Sequence, residues 1–263
     1  MMASHFVAEA LPSVAQEEPM ADVSEHYKSV LAAHYSWMMG GLEMGIRHNE
    51  AFFRQHGLTG PVGSRAVDLG CGSGFQALAL ACLGYNVIGV DTSETLLEEM
   101  QAHARHLTVT AKQHDLTRFR EVCPDPASLI VCMGDTLTHL PTLESVDTLF
   151  ADIMKTLEPH GRMVLTFRNQ KEPLTGLDRI IPVRSDASTL FTCFLEYEAE
   201  RIRVTDVIYT REDQAWAIHK GFYYKLRLDL DLVTDKATSA GFEITEKSVT
   251  NGLVCIIATK PSR

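Results

Sequence analysis

From Arg65 onward the apolar residues come in short runs separated by amphipathic stretches. Ala66-Val67-Asp68-Leu69 reads as a strand ending in a glycine-rich turn. Phe75, Leu78, Ala79, Cys82 and Leu83 follow at i, i+3, i+4, i+7 and i+8, the spacing of one helix face. Asn86–Val90 is a second strand, apolar enough to be covered on both faces. Ser93 caps a helix that runs to about His106. Strands follow at 107–112 and 128–133. A helix carries Val146, Leu149, Phe150, Ile153 and Leu157, and a fifth strand spans Met163–Phe167 after Pro159 and Gly161. Strand-helix alternation of this kind predicts parallel strands joined by right-handed crossovers, a doubly wound α/β sheet.

The rhythm differs on either side of this block. Residues 22–57 read as two helical pieces broken at Gly40-Gly41, with an aromatic run at His34-Tyr35-Ser36-Trp37. After Arg168, the segments 190–198, 202–210 and 215–228 read as antiparallel strands with few helical signals between them. A short helix ends near Gly241, and Phe242–Val249 and Leu253–Thr259 pair around the turn Asn251-Gly252. The expected division is therefore a tail over 1–21, a helical lid over 22–60, and a cofactor-binding core over 61–169. An antiparallel β elaboration over 170–229 and a last helix and hairpin over 230–263 complete it. The whole is a parallel sheet with an antiparallel edge.

Composition narrows the function. Lys and Arg total 24 against 34 Asp and Glu, a net charge of -10, and no basic cluster is broad enough to track a phosphate backbone. A nucleic-acid partner is therefore not expected. No apolar run reaches the length of a membrane span, and residues 1–20 lack the basic start and apolar stretch of a secretory signal. The six cysteines, Cys71, Cys82, Cys123, Cys132, Cys193 and Cys255, form no CxxC pair, which fits free thiols in a cytoplasmic protein. The histidines lack zinc-site spacing, so no metal is expected. A homo-oligomer stays open.

Three motifs carry the chemistry. The first is Asp68-Leu69-Gly70-Cys71-Gly72-Ser73-Gly74, whose glycines let a ligand approach the main chain. Phe75 occupies the place of the third glycine of a dinucleotide-binding turn, and Asp68 suits an ammonium group better than an anionic pyrophosphate. The second is Asp91, with Thr92 beside it, at the end of the second strand, where an acid accepts ribose hydroxyls. The third is His114-Asp115-Leu116, with Asp115 for an adenine amino group and Leu116 for the ring.

In this order the motifs resemble those of the class I S-adenosylmethionine-dependent methyltransferases. The resemblance implies that cofactor and a Rossmann-like, seven-stranded, mostly parallel sheet whose last strand is antiparallel. A closer likeness lies in Cys132-Met133-Gly134-Asp135-Thr136-Leu137-Thr138-His139-Leu140-Pro141 and in Phe167-Arg168-Asn169, which are similar to segments of the glycine and sarcosine N-methyltransferases. It implies that Asp135 and Arg168 hold the acceptor, although Asp135 stands where that family has Asn. Cys71, Met133 and Gly134 join the cofactor set.

The expected function is methylation of a small molecule, an amine or amino-acid-like acceptor, with Asp135, His139 and Arg168 as the catalytic set. His139 and Asp135 are candidate bases. Tyr35, Trp37, Trp216 and Tyr223 offer rings to a cationic group. Arg179 and Arg184, within the β elaboration, are candidate anion contacts. The alternatives are an NAD-dependent oxidoreductase and a non-catalytic cofactor-binding module.

Overall fold

The structure is a computed structural model that describes residues 31–212 and 215–262. The tail over 1–21, and the lid as far as residue 30, lie outside the described residues. A short helix α1 (Tyr35–Met38) and a longer α2 (Leu42–Gln55) are separated at Gly40 and Gly41, both with φ above +90°. The core then runs β1 (Arg65–Leu69), α3 (Phe75–Cys82), β2 (Asn86–Asp91), α4 (Glu94–Ala104), β3 (Val109–Gln113), β4 (Ala127–Cys132), α5 (Leu143–Thr156) and β5 (Leu157–Arg168). Four strands follow: β6 (Ile180–Ser185), β7 (Thr189–Tyr197), β8 (Arg201–Glu212) and β9 (Ala215–Leu226). Helix α6 (Leu230–Ser239) and strands β10 (Glu243–Thr250) and β11 (Leu253–Thr259) return to the core.

Seven strands form one sheet in the order β10-β11-β5-β4-β1-β2-β3. Strands β1 to β5 are parallel, and β11 is antiparallel to both β5 and β10. The last strand is thus antiparallel, as expected, but it lies one place in from the edge. Alternate residues of β1 feed opposite faces, as the two-residue period of a strand requires. Val67 and Leu69 pack with Val146, Phe150 and Ile153 of α5, whereas Ala66 packs with Leu78 of α3, Met100 of α4 and Phe53 of α2. Both faces are covered by helices, so the strands read as unbroken apolar runs.

Strands β6 to β9 form a separate four-stranded antiparallel sheet. Its inner face supplies Phe191, Leu195, Val204, Ile208 and Tyr223 to a third apolar cluster that also takes in Trp37 and Met38. Strand β6 was not expected. Its Ile180 pairs with Phe194, and Pro182 and Arg184 disturb the alternation that marks a strand. The guanidinium groups of Arg179 and Arg184, the candidate anion contacts, lie over the rings of Phe194 and Trp37, at 4.8 and 5.4 Å from the centroids. An Arg stacked in this way covers an apolar ring while keeping its charge wet.

Candidate active site

The strand order reverses between β1 and β4, and a cleft opens beyond the carboxyl ends of those strands, where doubly wound sheets keep their ligands. The turn after β1 is tied to the end of β2: the amides of Gly70 and Cys71 both donate to the carbonyl of Val90, at 2.8 and 3.1 Å. Gly70 has φ +72°, and a Cβ there would overlap Thr136 Cγ2. Glycine therefore lets the turn after β1 press against the turn after β4.

Asp91 closes this turn from β2. Its Oδ2 accepts from the Gly72 amide and its Oδ1 from the Ser93 amide, both at 2.8 Å. Burial raises its carboxyl pKa, and the amides of Ser93, Gly72 and Thr92 pull it back down. Asp68 lies deeper, with 1% of its surface exposed. Burial pushes its carboxyl up to about 8; the Ala77 amide opposes the shift and Asp91 adds to it. Asp68 Oδ2 is buried without a hydrogen-bond partner among the described residues.

The opposite wall is the turn after β4. The Gly134 amide donates to Thr166 Oγ1 at 2.8 Å and the Asp135 amide to the Thr166 carbonyl at 3.2 Å, tying this turn to β5. Asp135 takes the left-handed conformation, φ +87°, and precedes a single helical turn, Thr136–His139. His139 stacks on Tyr223 of β9, with centroids 5.4 Å apart and planes 24° apart.

The cleft is open to solvent at its mouth and encloses about 640 Å³ with that solvent included. Of the expected site residues, Gly70, Gly72, Asp91, Thr92, Leu116, Gly134 and His139 line it. Tyr35, Ser93, Leu96, His114 and Thr136 join them. Tyr35 comes from α1, whose neighbour Ser36 donates to Glu99 Oε1 of α4 at 2.6 Å.

The remaining expectations sit elsewhere. Asp68 is behind the wall, as described. The Cys71 thiol is buried and donates to the Gly72 carbonyl at 3.8 Å, and burial raises its pKa well above the usual value. Met133 is buried. Asp115 is exposed and caps the turn Leu116–Glu121 by accepting from the Thr117 amide at 2.8 Å, while its neighbours His114 and Leu116 reach the cleft. Asp135 and Arg168 were expected to flank the acceptor with opposed side chains. Asp135 Oδ1 accepts from the backbone amide of Arg168 at 2.9 Å, and its Oδ2 accepts from Lys225 Nζ at 2.6 Å. The Arg168 side chain is exposed. Lys225 had no sequence signal beyond its place on an alternating strand.

Residues 66–161 match the family described as a methyltransferase domain. Among curated proteins the chain is similar to the ubiquinone biosynthesis O-methyltransferase of Methylococcus capsulatus, 36% identical over 45% of this chain and 48% of that protein. It is also similar to the glycine N-methyltransferase of Mus musculus, 25% identical over 62% of this chain and 56% of that protein. The chain thus spans about half the length of these two relatives. Among solved structures, Streptomyces venezuelae DesVI shares the fold with a TM-score of 0.72 at 17% identity, over 86% of this chain and 97% of that one. These likenesses set aside the dinucleotide-dependent oxidoreductase, in agreement with Phe75 at the third glycine position. The cleft also fits the family's ligand: Asp91 stands on the wall where a ribose is held, and behind that wall the Asp68 Oδ2 is buried without a hydrogen-bond partner among the described residues. On the matched motifs, the sheet order and this cleft, residues 66–161 carry a methyltransferase domain, and the chain is similar to the class I S-adenosylmethionine-dependent methyltransferases.

Proposed function

We propose that the protein methylates a small molecule bearing an amine, using S-adenosylmethionine held along the β1–β2 side of the cleft. One observation carries the reading: a single cleft has the glycine turn and Asp91 on one wall and His139 on the other. When bound, the cofactor supplies an electrophilic methyl group on a sulfonium centre, so the protein's own work is placement, exclusion of water and proton handling.

Each wall has a part. Asp91 accepts the ribose hydroxyls, Leu96 and Leu116 pack on the base, and Asp68 is the counter-charge to the amino-acid end. The ring of Tyr35 closes the cleft near Gly72; a Cβ at Gly72 would lie 3.3 Å from Tyr35 Cε1. His139 takes the proton that an amine must lose before or as it attacks. Tyr35 gives the cleft an aromatic face suited to an ammonium group, and Tyr223 stacks on His139. The amine reading is also supported by the likeness of 132–141 to the glycine and sarcosine enzymes. The β6–β9 sheet, which brings Tyr223 to His139, is the part that selects the acceptor.

The test is S-adenosylhomocysteine production against a panel of amines, amino acids and phenols. Turnover of an amine, lowered on the order of a hundredfold or more in His139→Gln while S-adenosylhomocysteine still binds by calorimetry, supports the reading. Turnover of phenols alone overturns the amine assignment. Cofactor binding with no turnover of any acceptor returns the chain to the non-catalytic module.

A further inference from the structure

The helical turn Thr136–His139 forms part of the cleft wall, and neighbouring inward positions of β9 meet both of its ends. Tyr223 and Lys225 are two residues apart on β9, so they share a face about 7 Å apart. Asp135 and His139 are four residues apart across a 3₁₀ turn, an axial span of about 8 Å. The two spacings match. Lys225 Nζ donates to Asp135 Oδ2 at the start of the turn, and the Tyr223 ring stacks on His139 at its end. The Lys225 ammonium also lies 5.6 Å from the centroid of the Tyr223 ring.

The grip at Asp135 extends into the turn itself. The Asp135 carbonyl accepts from the Thr138 amide at 3.1 Å and from Thr138 Oγ1 at 2.7 Å. Its side chain holds the Arg168 amide of β5. The Asp135 and Lys225 side chains are 13% and 17% exposed, so the pair is largely out of water and its geometry is not easily exchanged for solvent.

We infer that Lys225 is a positioning residue: by fixing Asp135 it sets the β9 sheet in register with the turn, and Tyr223 then holds the imidazole of His139 at the cleft. This rests on the reading of His139 as the base, and it deepens it. The β sheet thereby governs the orientation of the base as well as the shape of the acceptor chamber.

The test needs no acceptor. The full chain is labelled at histidine Cε1, and the His139 signal is assigned by its loss in His139→Gln. The eleven histidines make the other ten internal controls. Tyr223→Leu removes the stacked ring and should shift the His139 signal. Lys225→Met should shift it in the same direction, Lys225→Arg should stay near the wild type, and Asp135→Asn, which keeps an acceptor for the Arg168 amide, should follow Lys225→Met. A His139 signal unmoved in Lys225→Met overturns the inference. So does a shift shared by all the histidines, which would make Lys225 a general structural residue. Calorimetry with S-adenosylhomocysteine on the wild type is separate: failure to bind would remove the methyl-transfer reading and leave the positioning result standing.

Discussion

Replacing Asp68 by Asn should make the protein more stable and bind its cofactor less well, with a stability gain that depends on pH. The carboxyl is buried, one oxygen lacks a partner, and its pKa is pushed from 3.8 to about 8. A carboxyl raised in this way keeps its proton in the native state after the unfolded chain has released it. Native stability therefore falls as pH rises from about 4 to about 8 and is level above that. At 1.36 kcal/mol per unit, the interval from 3.8 to pH 7 corresponds to a cost of about 4 kcal/mol. Asn has the shape of the protonated acid and presents a comparably unpartnered group, so the substitution removes the titration and little else. Urea unfolding at pH 5, 6, 7 and 8 should show the advantage of Asp68→Asn growing by about 1.4 kcal/mol per unit up to pH 7 and by less on the last step, as the native carboxyl itself begins to titrate. S-adenosylhomocysteine should bind the variant about ten- to a hundredfold more weakly, the value of a lost charge-assisted hydrogen bond of about 1.5–3 kcal/mol. A stability difference that stays flat across this range would refute the reasoning, because Asp68 would then be titrating as an ordinary carboxyl.

Other substitutions separate the walls of the cleft. Asp91→Ala should weaken S-adenosylhomocysteine binding at least about tenfold by calorimetry. It should also lower the melting temperature, because the Gly72 and Ser93 amides lose their acceptor. Gly70→Ala should destabilise the fold through overlap with Thr136 and about 1–2 kcal/mol of left-handed backbone strain. Adding Thr136→Ala should recover only the overlap, so full recovery in the melting temperature would count against the strain. His139→Gln should reduce turnover on the order of a hundredfold or more with cofactor affinity unchanged, and a parallel loss of affinity would move His139 to the cofactor side.

The central sheet was legible because its strands are buried on both faces. The apolar runs at 66–69, 86–90 and 128–133 match β1, β2 and β4 to within a residue or two, and Asn251-Gly252 marks the last turn. Strand β6 was not legible: it is an edge strand, half in water, and Pro182 and Arg184 hide its alternation. In the site, local motifs found the segments better than the side chains. His114-Asp115-Leu116 lies at the right place, yet the acid is spent on a helical cap and its two neighbours reach the cleft. The surroundings of Asp135 were hidden for a different reason. The partner of Asp135 is Lys225, 90 residues away on another sheet, and no local pattern encodes that meeting.

The position of β11 has a consequence for the nascent chain. Strand β5 is complete at Arg168, but the strand that hydrogen-bonds its free side begins only at Leu253. At about 5–20 residues per second, the intervening stretch of roughly 85 residues takes about 4–17 seconds to emerge from the ribosome. For that time the growing sheet carries an open edge at β5, with the apolar Met163–Phe167 segment exposed to strand pairing with other chains. Slowing translation between codons 168 and 253 should then lower the yield of soluble protein, and chaperones that shield extended apolar segments should restore it.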